Sequence, residues 1–101
     1  MKILLCCSMG MSTSIVVSAM KKAAQKQGKS YDISATDINS VDEEDEVPDV
    51  VLVGPQVAGA LDSVREQLEG TKAKIAVMNK TDYGNVDGAA ILKFAEELAG
   101  L

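Results

Sequence analysis

Residues 3–14 have the sequence ILLCCSMGMSTS, and the fold of the chain follows from the way this stretch changes character. Residues 3–6 are an uninterrupted apolar run, which is typical of a strand buried on both faces of a sheet. The run is broken by Gly10, and from about residue 14 to 27 apolar residues return at helical spacing. The stretch therefore predicts a buried strand that ends close to Cys7, then a short loop, then a helix.

The rest of the chain continues this alternation of short apolar runs and amphipathic stretches. Further strands are predicted at 31–36, 50–53 and 75–78. Further helices are predicted on two apolar stripes, Val57, Leu61, Val64 and Leu68 in one and Ile91, Phe94, Ala95 and Leu98 in the other, with a short helical turn near 39–44. Strands that alternate with helices indicate an α/β fold in which a parallel sheet carries helices on both faces, a three-layer α-β-α arrangement.

The character of each strand predicts its place in the sheet. The wholly apolar runs at 3–6 and 50–53 belong in the middle, whereas the alternating run at 31–36 belongs at an edge. The prediction is a four-stranded parallel sheet of order 2-1-3-4. In such sheets ligands bind beyond the carboxyl ends of the strands, where the winding reverses, so a site is expected at the loops after Cys6 and Val53.

Length and charge limit the classes of function. With 101 residues the chain is expected to form one domain, residues 1–101, and its net charge of −5 comes with ten scattered basic residues. Nucleic acids and anionic membranes both attract clustered Lys and Arg, so neither is an expected partner. The first apolar run is too short for a signal peptide or a membrane span, so we expect a cytoplasmic protein without direct membrane insertion.

The chain contains no histidine, and its two cysteines are adjacent. The lack of histidine removes the usual general base, the Cys–His nucleophile pair and most zinc sites, so no metal and no cofactor are expected. A disulfide between neighbouring residues is strained, so both thiols are expected to be reduced. Because neighbours in a strand face opposite sides, Cys6 is expected to be a core residue that points away from Cys7.

The loop after the first strand favours an anion next to Cys7. Gly10 permits backbone conformations that other residues resist, and successive N–H groups of such a loop can point at one spot. The start of the following helix adds unsatisfied N–H groups and the positive end of its dipole. These groups stabilise a thiolate as well as a phosphate attached to it, so we expect Cys7 to be a nucleophile with an exposed sulfur.

The predicted phosphate-binding loop has seven members, Ser8, Met9, Gly10, Met11, Ser12, Thr13 and Ser14. The hydroxyls of Ser12, Thr13 and Ser14 either cap the helix or donate hydrogen bonds to the bound oxyanion. Met9 and Met11 are adaptable apolar residues that suit a partner surface.

Three functions fit a cysteine at a phosphate-binding loop. Low-molecular-weight cysteine phosphatases have a similar layout, but where they carry Arg this chain has Thr13, and no Lys or Arg lies between Cys7 and Ser18. Without a guanidinium, the phosphoryl group in transfer is poorly stabilised. A phosphocarrier needs no such group, since its partners supply the missing charge and acid chemistry. A flavodoxin-like module that binds a nucleotide or phosphate is the third alternative, although three aromatic residues offer little stacking for a ring.

At three places the sequence resembles the enzyme IIB proteins of the lactose/cellobiose (chitobiose) class of the phosphoenolpyruvate-dependent sugar phosphotransferase system. Residues 7–14, CSMGMSTS, resemble the family's C-S-x-G-M-S-T-S loop. Residues 51–56, VLVGPQ, resemble its third strand and Gly-Pro-Gln turn, and residues 82–88, DYGNVDG, resemble its Tyr-Gly-x-x-Asp-Gly segment. Order and spacing agree along essentially the whole chain, and Cys6 is the one departure noted.

The resemblance implies a fold similar to that of the low-molecular-weight tyrosine phosphatases and a function in sugar uptake. It implies that Cys7 becomes a phosphocysteine, with phosphate from a phosphohistidine of a helical IIA partner. The phosphate then passes to a sugar of the cellobiose, chitobiose, lactose or β-glucoside class held by the membrane IIC transporter. The resemblance also implies that residues 8–14 form the cradle that holds the phosphate. Gly54, Pro55 and Gln56 should flank this cradle, and Tyr83 should lie near it on a partner-facing rim. Pro55 and Gln56 also fit a plain helix start, and Tyr83 also fits a residue that packs in the core.

Overall fold

A computed structural model describes residues 1–7 and 13–101 in full and the backbone of Met11 and Ser12. Its strands are β1 (Lys2–Cys7), β2 (Asp32–Asp37), β3 (Val50–Val53) and β4 (Lys74–Val77). Its α-helices are α1 (Met11–Lys26), α2 (Leu61–Gln67), α3 (Lys80–Gly84) and α4 (Gly88–Ala99), and two 3-10 helices span Val41–Glu43 and Pro55–Ala60. The short helical turn predicted near 39–44 is confirmed by the first of these.

The four strands form one parallel sheet of order β2-β1-β3-β4. Ile3 pairs with Ile33 on one side and with Val50 on the other, which places β1 in the middle. All four residues of β3 and five of the six in β1 are buried, whereas the edge strand β2 is buried only at Ile33. The predicted order and the predicted edge strand are therefore confirmed.

Alternate side chains of the central strands feed two apolar clusters, one on each face of the sheet. Ile3, Leu5, Val50 and Leu52 join Val16, Met20, Ile91 and Leu92 on the face covered by α1 and α4. Leu4, Cys6, Val51 and Val53 join Val64 and Leu68 on the face covered by α2. The sheet thus lies between two helical layers, which confirms the three-layer arrangement and both predicted apolar stripes.

Helix α1 begins earlier than the predicted start near residue 14. It spans Met11–Lys26, so Ser12, Thr13 and Ser14 lie within its first turn. None of these three therefore occupies the position before the helix, where a capping side chain would sit. The prediction that one of them caps the helix is wrong, because the helix starts at Met11.

Two helical segments differ from the periodicity-based prediction. The helix predicted over the stripe from Val57 begins as a 3-10 helix with a kink at Val57 (φ −119°, ψ 30°), after Pro55 at its start. Helix α3 was not predicted, since five residues are too short to show a helical period. Its start is marked by Asn79, whose side chain accepts hydrogen bonds from the N–H groups of Thr81 (2.9 Å) and Asp82 (3.1 Å).

The connection between α3 and α4 brings α4 into direct contact with the backbone of α1. Asp87 caps α4 through a hydrogen bond from the N–H of Ala90 (3.1 Å). A Cβ atom at Gly88 would lie 2.4 Å from the carbonyl carbon and oxygen of Ala19, so only glycine fits there. Within the described part of the chain no helix has the length and apolar character needed to cross a membrane.

Candidate functional site

Residues of the predicted site lie together at the carboxyl ends of β1 and β3. Cys7 is the last residue of β1, and its carbonyl accepts a hydrogen bond from the N–H of Ile38 (3.1 Å), just after β2. The carbonyl of Cys6 accepts a hydrogen bond from the N–H of Gly54 (2.9 Å), just after β3. These two backbone bonds hold the end of β1 between its neighbours and so position the side chain of Cys7.

The sulfur of Cys7 accepts a hydrogen bond from the hydroxyl of Thr13, with 2.7 Å between Oγ1 and Sγ. Thr13 comes from the first turn of α1 and is fully buried, and Cys7 is only 4% exposed. The expectation of an exposed sulfur is therefore wrong. The reason is that the first turn of α1 lies against the end of β1, so that a buried hydroxyl, rather than bulk solvent, contacts the sulfur.

Tyr83 closes the same side of the site from α3. Its hydroxyl oxygen lies 3.4 Å from Oγ1 of Thr13, although the two residues are 70 positions apart in the chain. The side chain of Tyr83 is 7% exposed and packs into the apolar cluster under α1 and α4. The expected place of Tyr83 on a partner-facing rim is therefore corrected: it lies beneath the site, because the short helix α3 turns its ring toward the core.

Gly54 forms the wall of the site on the β3 side. A Cβ atom at Gly54 would lie 3.4 Å from Cβ of Cys7 and 2.9 Å from Oε1 of Gln56. The side chain of Gln56 thus lies against Gly54, while Pro55 starts the 3-10 helix. Gly54 therefore lies next to Cys7 and Gln56 contacts Gly54, whereas Pro55 has the role of a helix start that the sequence also allowed.

Part of the predicted phosphate-binding loop falls outside the described residues. This applies to Ser8, Met9 and Gly10, and only the backbone of Met11 and Ser12 is described. Ser14 is described and lies exposed on the first turn of α1. The first N–H groups of any helix have no partner within the helix, so the start of α1 at Met11 supplies donors near the end of β1.

Cys6 occupies the opposite face of the sheet, as expected. It is fully buried in the apolar cluster under α2. Burial raises the pKa of its thiol to about 12, with smaller contributions from the negative charges of Cys7 and Asp37. Cys6 is therefore a protonated core residue at neutral pH. In the described ranges no three His, Cys, Asp or Glu side chains come together as metal ligands.

Alkaline pH is expected to destabilise the fold through Cys6. The pKa of this thiol rises from 9.0 to about 12, so between those values the unfolded chain releases a proton that the folded chain keeps. The unfolded state then binds fewer protons, and the free energy of unfolding falls as pH rises, by at most about 1.4 kcal/mol per pH unit.

Urea unfolding of the wild type and of Cys6→Ala across this alkaline range tests the expectation. The wild type should lose more stability with rising pH than the variant, since all other groups that titrate there are common to both proteins. Equal slopes for the two proteins would contradict the assignment of Cys6 as a buried thiol.

Comparison with known proteins adds to this geometry. Residues 2–94 match the model of the family described as PTS system, Lactose/Cellobiose specific IIB subunit. The chain is 40% identical over 101 residues to the PTS system galactose-specific EIIB component of Lactococcus lactis subsp. cremoris, a match that covers 95% of this chain and 94% of the relative. It is also 40% identical over 101 residues to the PTS system cellobiose-specific EIIB component of Lactococcus lactis subsp. lactis, again covering 95% of this chain and 94% of the relative. The PTS system oligo-beta-mannoside-specific EIIB component of Bacillus subtilis is 36% identical over 87 residues, covering 86% of this chain and 84% of the relative.

Two solved structures share the fold. The cellobiose-specific phosphotransferase IIB component of Borrelia burgdorferi superposes with a TM-score of 0.79 at 31% identity, over 99% of this chain and 92% of that chain. The lactose-specific IIB component domain of Streptococcus pneumoniae superposes with a TM-score of 0.83, over 96% of this chain and 95% of that chain. Because the two sequences are only 16% identical, this likeness concerns the fold alone. With the family match over almost its whole length and these relatives, the chain belongs to the lactose/cellobiose-class IIB components of the sugar phosphotransferase system, which are sugar phosphotransferases.

Proposed function

We propose that Cys7 is the residue of this IIB component that carries the phosphoryl group, received from a phosphohistidine of a IIA partner. The observation that supports this most directly is the hydrogen bond from Thr13 Oγ1 to Cys7 Sγ (2.7 Å), at the carboxyl edge of the sheet. A hydroxyl donor stabilises the thiolate, which is the nucleophilic form of cysteine. Cys6 cannot take this role, since it is fully buried on the other face.

The transfer to Cys7 exchanges one bond for another. An electron pair of the thiolate attacks phosphorus, an S–P bond forms, and the P–N bond to the imidazole of the partner breaks. The imidazole nitrogen keeps the electron pair of the broken bond. In the next step a sugar hydroxyl attacks phosphorus, the P–O bond forms, and the sulfur leaves as thiolate while the hydroxyl proton is released.

The phosphoryl group on Cys7 needs hydrogen-bond donors, and the chain offers several. Three phosphoryl oxygens with a charge of roughly −1.5 to −2 suit the N–H groups of residues 8–14 and the beginning of α1. Thr13 contributes a buried hydroxyl, and the absence of a side chain at Gly54 avoids a close contact with Gln56 beside Cys7. The cradle therefore holds phosphate with neutral donors and the helix dipole.

The lack of a positive side chain favours a carrier over a phosphatase. Thr13 stands where cysteine phosphatases carry Arg, and its hydroxyl contacts the sulfur instead of clamping two phosphate oxygens. A IIA or IIC partner completes the charge and acid chemistry only while it is bound. Phosphate on Cys7 is thereby protected from water between the two transfers.

The same proposal covers the partners and the place of action. Residues 1–101 act as one IIB domain in the cytoplasm, between a phosphorylated IIA protein and a membrane IIC transporter. The relatives are named for galactose, cellobiose and oligo-β-mannoside. The sugar that receives phosphate from this chain belongs to the same broad group, and its candidates are cellobiose, chitobiose, lactose and β-glucosides. The choice among them is made by the transporter that holds the sugar.

Incubation with a phosphorylated IIA protein of this class, followed by mass spectrometry, tests the proposal. One added phosphate should be found on the peptide that contains Cys7, and release to sugar should require membranes that contain IIC. Phosphate on any other residue would overturn the assignment. Steady hydrolysis of p-nitrophenyl phosphate by the purified chain would favour the phosphatase instead, and an absorbing bound nucleotide or flavin would favour the binding module.

A further inference from the structure

A chain of three polar side-chain atoms leads from the core to the sulfur of Cys7. Tyr83 Oη lies 3.4 Å from Thr13 Oγ1, and Thr13 Oγ1 lies 2.7 Å from Cys7 Sγ. All three residues are buried, with exposed fractions of 7%, 0% and 4% respectively. The three atoms come from three different elements, α3, α1 and β1, so the fold itself brings this line of polar atoms together.

The direction of the hydrogen bonds follows from the number of hydrogens available. A hydroxyl group has one hydrogen and two lone pairs, so Thr13 can donate to only one acceptor. When Cys7 is a thiolate, the sulfur is an acceptor only, and the hydrogen of Thr13 points to it. The lone pairs of Thr13 then face Tyr83, and we assign Tyr83 as the donor across the 3.4 Å between the two hydroxyl oxygens.

We infer that Tyr83 is a positioning residue, whose hydroxyl orients the single hydrogen of Thr13 toward the reacting sulfur. This inference rests on the proposed function of Cys7 and deepens it. The effect of Tyr83 on the sulfur passes through Thr13, because the hydroxyl of Tyr83 occupies a lone pair of Thr13. A buried hydroxyl without this partner is free to rotate its hydrogen to another acceptor, and the thiolate then loses the hydrogen bond from Thr13.

The same arrangement assists the transfer step. As the S–P bond forms, the sulfur gives an electron pair to phosphorus and becomes a weaker acceptor. The hydrogen of Thr13 is then available to an oxygen of the incoming phosphoryl group, where negative charge remains. Tyr83 continues to donate to Thr13 in both states, so a single oriented hydroxyl serves the thiolate before transfer and the phosphoryl oxygen after it.

The test uses variants that remove one hydroxyl each. Thr13→Val should slow phosphotransfer to Cys7 and its alkylation by iodoacetamide by roughly 10- to 100-fold, as expected for a lost hydrogen bond to a charged group. Tyr83→Phe should slow both by about 3- to 10-fold, since it removes only the neutral bond behind Thr13. The loss should fall on kcat, with KM for the phosphorylated IIA protein unchanged, because both side chains are buried. Thr13→Ser should restore most of the rate.

The double variant separates a positioning role from a purely structural one. Once Thr13→Val has removed the hydroxyl, Tyr83→Phe should have no further effect on rate, whereas independent effects would multiply. Tyr31→Phe is the matched control, because it removes another tyrosine hydroxyl, which donates to Glu96 (2.7 Å) at the far end of β2. This control should transfer phosphate at the wild-type rate. Circular dichroism and urea unfolding confirm that each variant is folded, and Thr13→Ala replaces Thr13→Val if the latter is not.

The outcomes distinguish this inference from the proposed function. If the wild type takes no phosphate on Cys7, the proposed function fails, and the alkylation rates alone decide the role of Tyr83. If the wild type is labelled and Tyr83→Phe keeps the full rate, Cys7 remains the carrier and the positioning role is overturned. A Tyr83→Phe effect of equal size in the presence and absence of Thr13→Val would also overturn it.

Discussion

Replacement of Cys7 by serine is expected to abolish phosphate transfer from the IIA partner to this chain. Serine has nearly the same size, and its hydroxyl still fits beside Thr13, so the fold should persist. The serine hydroxyl is not ionised at neutral pH and no histidine is present in the chain to deprotonate it, so the nucleophile is lost. Labelling with phosphorylated IIA protein, quantified by mass spectrometry of the intact chain, should show no added phosphate.

Variants of the neighbouring thiol provide the control for this experiment. Cys6→Ser should retain most of the labelling, because Cys6 points to the opposite apolar cluster. It places a hydroxyl among apolar side chains, at a cost in stability of about 1–3 kcal/mol, so Cys6→Ala is the better-matched variant for rate measurements. Labelling that persists in Cys7→Ser, or that disappears in Cys6→Ala, would contradict the assignment of Cys7.

Replacement of Gly88 by alanine is expected to cause the largest loss of stability among glycine-to-alanine changes at the described glycines. The added Cβ would lie 2.4 Å from the carbonyl carbon and oxygen of Ala19 and 2.7 Å from the backbone nitrogen of Met20. No side-chain rotation relieves a collision with backbone, so α4 must move away from α1. We expect the free energy of unfolding to fall by about 3 kcal/mol, at the upper end of typical overpacking effects.

Gly84→Ala is the matched control for this variant. Gly84 is also helical, but no atom of the described residues lies within 4 Å of a Cβ built there. Alanine favours the helix over glycine by up to about 1 kcal/mol, so Gly84→Ala should be neutral or slightly stabilising. Urea unfolding of the two variants measures the difference. A stability of Gly88→Ala equal to that of the wild type would show that α4 does not lie this close to α1.

In two of the three sequence segments that resemble the family, the structure shows why particular residues are needed. Gly54 is needed because a side chain there would meet Gln56 and Cys7. In the segment of residues 82–88, Tyr83 reaches the site, Asp87 caps α4, and Gly88 allows the contact with α1. A motif that the sequence presents as one unit thus combines one residue of the site with two that place a helix.

The contact between Thr13 and the sulfur of Cys7 was not predicted from the sequence. The sequence placed Thr13 in the phosphate-binding loop, with capping and phosphate contact as its alternatives, and neither alternative included the sulfur of Cys7. The useful signal was already present, since Thr13 stands where phosphatases carry the residue closest to the transferred phosphate. What the pattern lacked was the start of α1 at Met11, which turns this hydroxyl inward.

The pattern of apolar and polar residues was enough to predict the parallel sheet, the central places of β1 and β3, and the opposite directions of Cys6 and Cys7. Burial on one or both faces of a strand leaves a direct record in the alternation of apolar and polar residues. The burial of the sulfur and the place of Tyr83 behind Thr13 became visible in the packed molecule alone. Contacts between side chains 70 residues apart depend on how α3, α1 and β1 pack together, and local periodicity carries no information about that distance.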